Sequence, residues 1–201
     1  MNIPVVRVIE EKAKVFELIK NILKSGGGEK SIFLYGEADF SGDIKKYAEE
    51  NGVLIFRYAS PAGFGSEADP DYYGIADLVI LGDCKKNIDL SRLGNIKSIL
   101  LNIDGLRGTG GLENINKDAQ VVTCGLKEKD TAIFSSINLD EGNVILDLQR
   151  SVSNINGETI EPFEKQMEIP DYSKKDGGKS PEFSAGELIL ALTALTLCGR
   201  V

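Results

Sequence analysis

The segment SIFLYGEADFSGDIKKYAEENG, residues 31–52, passes from a short apolar stretch through a glycine-bearing turn into a polar, helix-forming stretch, the layout of a phosphate-binding site in α/β proteins. A P-loop needs G-x-x-x-x-G-K-[ST]: backbone N–H groups surround the phosphates, the Lys reaches their oxygens and the hydroxyl binds Mg²⁺. Here the glycines are Gly36 and Gly42, and Asp43 and Ile44 stand where the Lys and the hydroxyl belong. The dinucleotide pattern G-x-G-x-x-G is also missing, and Glu37, Asp39 and Asp43 would set carboxylates against phosphates. Like charges about 4 Å apart repel by on the order of 4 kcal/mol at an effective dielectric of about 20, enough to cancel a phosphate contact. Gly36, Ser41, Gly42 and Asp43 therefore read as a degenerate phosphate loop in which Ser41 caps the following helix. Neither ATP nor Mg²⁺ is expected there, and no cofactor is expected.

A second glycine cluster, NIDGLRGTGGLEN, offers more. Gly105, Gly108, Gly110 and Gly111, with Arg107 and Thr109, would supply flexible backbone N–H groups, a cation and a hydroxyl. They follow an expected parallel strand, and ligands of open α/β sheets bind at the carboxyl ends of strands. The cluster matches no strict motif, so a merely flexible loop is the competing reading. Asp83 and Asp104, at two expected strand ends, suit Mg²⁺ coordination or simple strand-end capping. The aromatic, acidic stretch GFGSEADPDYYG reads as a lid or partner-binding loop, or as aromatics anchoring a long loop. Arg150 and Glu161 read as surface charges. The three cysteines, Cys84, Cys124 and Cys198, lack C-x-x-C spacing and read as buried free thiols. Histidine is absent, which removes Ser-His-Asp and Cys-His catalysis and nearly all zinc-site types.

A chain of 201 residues suits one domain with a sizeable core. The net charge of −8 argues against nonspecific binding to nucleic acid or anionic membranes, because both would repel the average surface. No apolar run reaches about 18 residues and the first residues carry charges, so a cytoplasmic chain without membrane insertion is expected.

The elements that must position these groups follow from periodicity. From Pro4 to Ser25, Val5, Val8, Ile9, Phe16, Ile19 and Leu23 recur at helical spacing and predict one amphipathic helix, with residues 1–28 forming helix and glycine linker. Strands are expected at 31–35 and 53–58 around a helix, a parallel βαβ unit. IADLVILGD and IKSILLNID supply two more strands, so residues 31–118 make up a parallel βα part of a doubly wound sheet. From 119 to 170, close-spaced strands with short polar turns predict antiparallel hairpins, Asn156-Gly157 being the strongest turn signal. A linker, 171–183, leads to a buried helix at 184–199 that opens on a Ser184–Glu187 capping box. The fold class is α/β: a mainly parallel doubly wound sheet extended by antiparallel strands.

ADLVILGD, IKSILLNIDG and AQVVTCGLKEKDTAIFSSINLDEGNVILDLQR resemble the central domain of the Mur ligases, ATP-dependent enzymes that add amino acids or peptides to UDP-N-acetylmuramic acid. In that family a strand ending N-x-D-D precedes a V-[IV]-T-[YF]-G strand, then antiparallel strands and a helix rich in Ala and Leu. This chain has Asn102-Ile103-Asp104-Gly105, then Val121-Val122-Thr123-Cys124-Gly125, and ends in ELILALTALTLCG, so the agreement covers residues 77–201. The resemblance implies that Asn102 matches an Asn near adenine in some members, and adds Asn102 to the ligand candidates beside Asp104 and the glycine cluster. It also implies ATP phosphates on a G-T-x-G-K-[ST] loop after the domain's first strand, taken here as the turn at Gly36 to Asp43. Glu, His and often carbamylated Lys ligands to Mg²⁺ belong to the same pattern.

This chain lacks the loop Lys and any His, and has Gly105 for the second Asp. The expectation is a noncatalytic Mur-ligase-like binding or accessory protein linked to peptidoglycan precursors, with a homo-oligomer or another protein as partner. Its rivals are a small ATP- or nucleotide-sugar-binding enzyme using residues 105–111, and a subunit that completes its site with a partner chain.

Overall fold

The computed structural model describes residues 4–26, 31–35, 42–51, 53–59, 76–84, 90, 96–103, 117–139, 141–169 and 183–200. Its first element corrects the reading of the N-terminal region. The helix expected from Pro4 to Ser25 is two elements: strand β1 (Val5–Ile9) and helix α1 (Lys14–Ser25). Val5, Val8 and Ile9 fit a helical period, but a run of β-branched residues favours an extended chain that is covered on both faces. Val6, Arg7, Val8 and Ile9 are all buried, as a central strand requires.

Strand β2 (Ser31–Tyr35), helix α2 (Gly42–Asn51), β3 (Leu54–Ala59), β4 (Leu78–Leu81) and β5 (Ser98–Asn102) follow where the apolar runs place them. Then come β6 (Gln120–Gly125), β7 (Ala132–Asn138), β8 (Asn143–Leu148), β9 (Val152–Ser153), β10 (Thr159–Ile160), β11 (Phe163–Glu168) and α3 (Ala185–Leu197). One nine-stranded sheet runs in the order β11-β8-β7-β6-β5-β4-β1-β3-β2, and β9 with β10 forms a separate two-stranded hairpin. Gly157 turns that hairpin with φ +85°, the left-handed conformation that the Asn-Gly pair supplies.

The switch from parallel to antiparallel lies later than the strand spacing suggests. β6 pairs parallel with β5, and β7 is still parallel to β6 where Cys124 meets Ala132 and Gly125 meets Ile133. Among the described residues of the nine-stranded sheet, only the β7–β8 and β8–β11 ladders are antiparallel. A full parallel overlap needs a long crossover. Here β7 starts beside the end of β6 and runs on past it, so the short segment between them need only step sideways.

Alternation along the strands sorts the core into two faces. Val6, Val8, Phe56, Leu78, Ile80, Leu100, Val122 and Leu146 pack with α1 and α3. Ile9, Val79, Leu81, Ile99 and Leu101 face the other way, as do Leu34 and Ile55 against Ala48 of α2. Every residue of α3 from Leu188 to Leu197 is buried, as its all-round apolar sequence predicts. All three cysteines are free and buried. Among the described residues no helix is long and apolar enough to cross a membrane.

Candidate functional site

β1 lies between β3 and β4, parallel to both. The chain leaves β1 toward the β2–β3 side and leaves β4 toward β5, so the sheet order reverses between β1 and β4. Open α/β sheets bind ligands outside the carboxyl ends of strands at such a reversal. Glu10 occupies this place directly after β1, and only 2% of it is exposed.

The local chain explains why Glu10 points inward. Helix α1 begins after Ala13, which has no side chain able to accept from the first amides. The Glu10 carboxylate does so instead: the Val15 N–H donates to Oε2 at 3.1 Å and the Phe16 N–H to Oε1 at 2.9 Å. A negative group at a helix N-terminus also meets the positive end of the helix dipole. The main chain is tied on both sides, with Glu10 N–H donating to the Ala59 carbonyl at 3.3 Å and Gly82 N–H to the Ile9 carbonyl at 2.9 Å. Gly82 leaves room for the acid, since a Cβ there would stand 2.8 Å from Glu10 Cβ and 3.1 Å from Oε2. The Tyr58 hydroxyl donates to the main-chain oxygens of Glu10 at 3.2 Å and Glu11 at 3.4 Å. Phe16 meets Tyr35 and Phe33 edge-on, at centroid distances of 4.9 and 5.6 Å, which fixes the first turn of α1 against β2.

Burial pushes the Glu10 carboxyl up to about 7; the N–H groups of Phe16 and Val15 pull it down, and the charge of Glu187 adds to the rise. Glu187 reaches this corner from α3. Its Oε1 lies 2.9 Å from Lys14 Nζ, while Oε2 accepts the Ser184 N–H and Ser184 Oγ accepts the Glu187 N–H at 3.2 Å. One side chain therefore completes the capping box of α3 and joins it to the first residue of α1.

Of the residues singled out from sequence, Asn102 belongs to this edge. It ends β5, and its Nδ2 fills the space in front of Gly186, where a Cβ would stand 2.6 Å away. Gly42 and Asp43 open α2, after β2 and away from the strand reversal. The sheet's first strand is β1, and the residues that follow it toward α1 are Glu10 to Ala13. Gly36, Ser41, Asp104, Gly105, Arg107, Gly108, Thr109, Gly110 and Gly111 lie outside the described residues, as does the GFGSEADPDYYG stretch. Asp83 is exposed, and its carbonyl accepts the Glu11 N–H at 3.1 Å. Arg150 and Glu161 do not meet each other: Arg150 donates to the Lys129 carbonyl at 3.2 Å and Glu161 accepts from the Ser151 hydroxyl at 2.8 Å.

Sequence reasoning missed Glu10, Lys14 and Glu187 as a group. Glu10 sits in the polar run Glu10-Glu11-Lys12, which reads as the wet side of a helix until VVRVI is assigned to a strand. It missed Arg7 and Arg57 too, which stand opposite each other in the β1–β3 register, buried, on the face turned away from Glu10.

Chemically, the corner places a carboxyl group of the chain itself in a helix N-terminal cradle. The thiols add no nucleophile. Burial pushes Cys84 and Cys198 up to about 12 and Cys124 higher still, so they stay protonated at neutral pH. Among the described residues no group of three or more Cys, Asp or Glu is gathered to hold a metal ion. Compared with known proteins, the chain matches no family model and no curated protein.

Proposed function

We propose that this chain is a noncatalytic binding or accessory protein on a Mur-ligase-like central domain, its phosphate-loop position filled by its own Glu10 carboxylate. The supporting observation is the pair of hydrogen bonds from the Val15 and Phe16 amides to Glu10, at the point where the first strand meets the first helix. Against the family pattern G-T-x-G-K-[ST], the run Glu10-Glu11-Lys12-Ala13-Lys14-Val15 retains a lysine, Lys14, but has Glu10 and Ala13 for the glycines and Val15 for the hydroxyl. Phosphoryl transfer rests on positioning and charge stabilisation, and a carboxylate in the cradle opposes both. Lys14 is engaged by Glu187 at 2.9 Å. A connection to peptidoglycan precursors rests on fold analogy alone.

A ligand of the native state must raise its melting temperature. Millimolar ATP, ADP or a UDP-muramyl peptide with Mg²⁺ is expected to leave Tm unchanged. A concentration-dependent rise with ATP would overturn the proposal in favour of a nucleotide-binding enzyme, and a rise with the UDP-sugar alone would assign a precursor as the bound ligand.

A further inference from the structure

We infer that Glu10 and Glu187, meeting where α1 and α3 begin, make this corner a proton-sensitive joint between the two helices. Two carboxylates and one ammonium converge there: Glu10 lies under the first turn of α1, Glu187 is in the first turn of α3, and Lys14 pairs with Glu187 at 2.9 Å. Glu10 has almost no water, at 2% exposure, and Gly82 closes it in from β4. Among the described residues, the other ionisable groups at these strand ends include Glu11 and Lys12 in the turn into α1, Asp83 and Cys84 after β4, and the Tyr58 hydroxyl from β3. An ionised Glu10 keeps two charge-assisted N–H bonds but is repelled by the charge of Glu187; a protonated Glu10 gives up part of those bonds and relieves the repulsion.

The sign follows from the shift of Glu10 from 4.5 to about 7. The folded chain holds a proton that the unfolded chain releases, so the Glu10 contribution to folding is fully present below about pH 4.5 and is lost as pH rises through about 7. Acid of this mild strength tightens the joint and alkali loosens it. Between about pH 5 and about pH 8 the folding equilibrium constant is expected to fall by about 70-fold on this account alone.

The experiment compares the full chain with Glu10→Gln in denaturant unfolding across that range. The ratio of their folding constants is expected to move by about 70-fold, the wild type losing ground as pH rises. A ratio that stays constant overturns the inference. Should Glu10→Gln not fold, the wild type carries the test through its Val15 and Phe16 amide resonances. These are expected to titrate with a midpoint near 7, lower in Glu187→Gln and higher in Lys14→Met. A midpoint at the ordinary 4.5, or one that neither substitution moves, overturns it equally.

Discussion

Gly186 has no side chain, and the amide of Asn102 stands in the space a methyl group would take, 2.6 Å from the Cβ position. Two effects oppose each other when Gly186 becomes Ala. Replacing glycine early in a helix gains up to about 1 kcal/mol of helix propensity, while the new Cβ must push Asn102 aside. Because the obstructing atom ends a short side chain held at the tip of β5, the clash is expected to win, and Gly186→Ala should lower stability by about 1 kcal/mol. In an Asn102→Ala background the same change should instead stabilise by up to about 1 kcal/mol. Chemical denaturation of the four variants checks this, and equal effects in both backgrounds would show that Asn102 is not the obstacle. Family resemblance draws attention to Asn102 from sequence. Its packing on Gly186 was not legible there, because the two residues lie far apart in the chain and no local pattern links them.

The helix α3 shows how much a local signal can carry. Ser184 Oγ accepts the Glu187 amide at 3.2 Å and Glu187 returns a bond to the Ser184 amide, as the S-x-x-E spacing predicts. Ser184→Ala is expected to cost about 0.5–2 kcal/mol, and Ser184→Gly only a few tenths of that order, since glycine is itself an acceptable cap. Thermal unfolding of both variants reads the difference; equal losses would mean that the hydroxyl bond does not hold the helix. Helix α1 has no such signal in its own sequence, because its cap arrives from Glu10 at a strand end. That is why VVRVI and KVFELIKNILKS merge into one expected helix: Val5, Val8 and Ile9 continue the period of Phe16, Ile19 and Leu23. The polar break at Glu10 to Ala13 separates them only once sheet pairing is known. Spacing alone places β6 in the antiparallel part for a similar reason, since its short connection to β7 looks like a hairpin and is a sideways step.

At the scale of the molecule, α3 bridges the two kinds of strand. It packs in one core with Leu100 and Val122 of the parallel part and with Leu146 and Leu148 of the antiparallel part. Leu192→Ala, at a site 1% exposed, should cost about 2–5 kcal/mol. Amides of β1 and β8 should lose hydrogen-exchange protection together, as one cooperative unit. Earlier exchange in β8 would make the antiparallel strands a separate unit. The mainly parallel α/β class was legible because the apolar runs and glycine stops are strong. The order of strands was not, because it depends on β1 taking the middle of the sheet. That central place has a consequence in time. On a ribosome β1 is made before either of its partners: it has no neighbour until Leu54–Ala59 is complete, and its second edge stays unpaired until Leu78–Leu81 follows. At about 5–20 residues per second, this apolar strand spends several seconds as an open template before its partners exist. The charged Glu10-Glu11-Lys12 beside it would then act as a gatekeeper for the nascent chain, keeping VVRVI from pairing with the wrong strand.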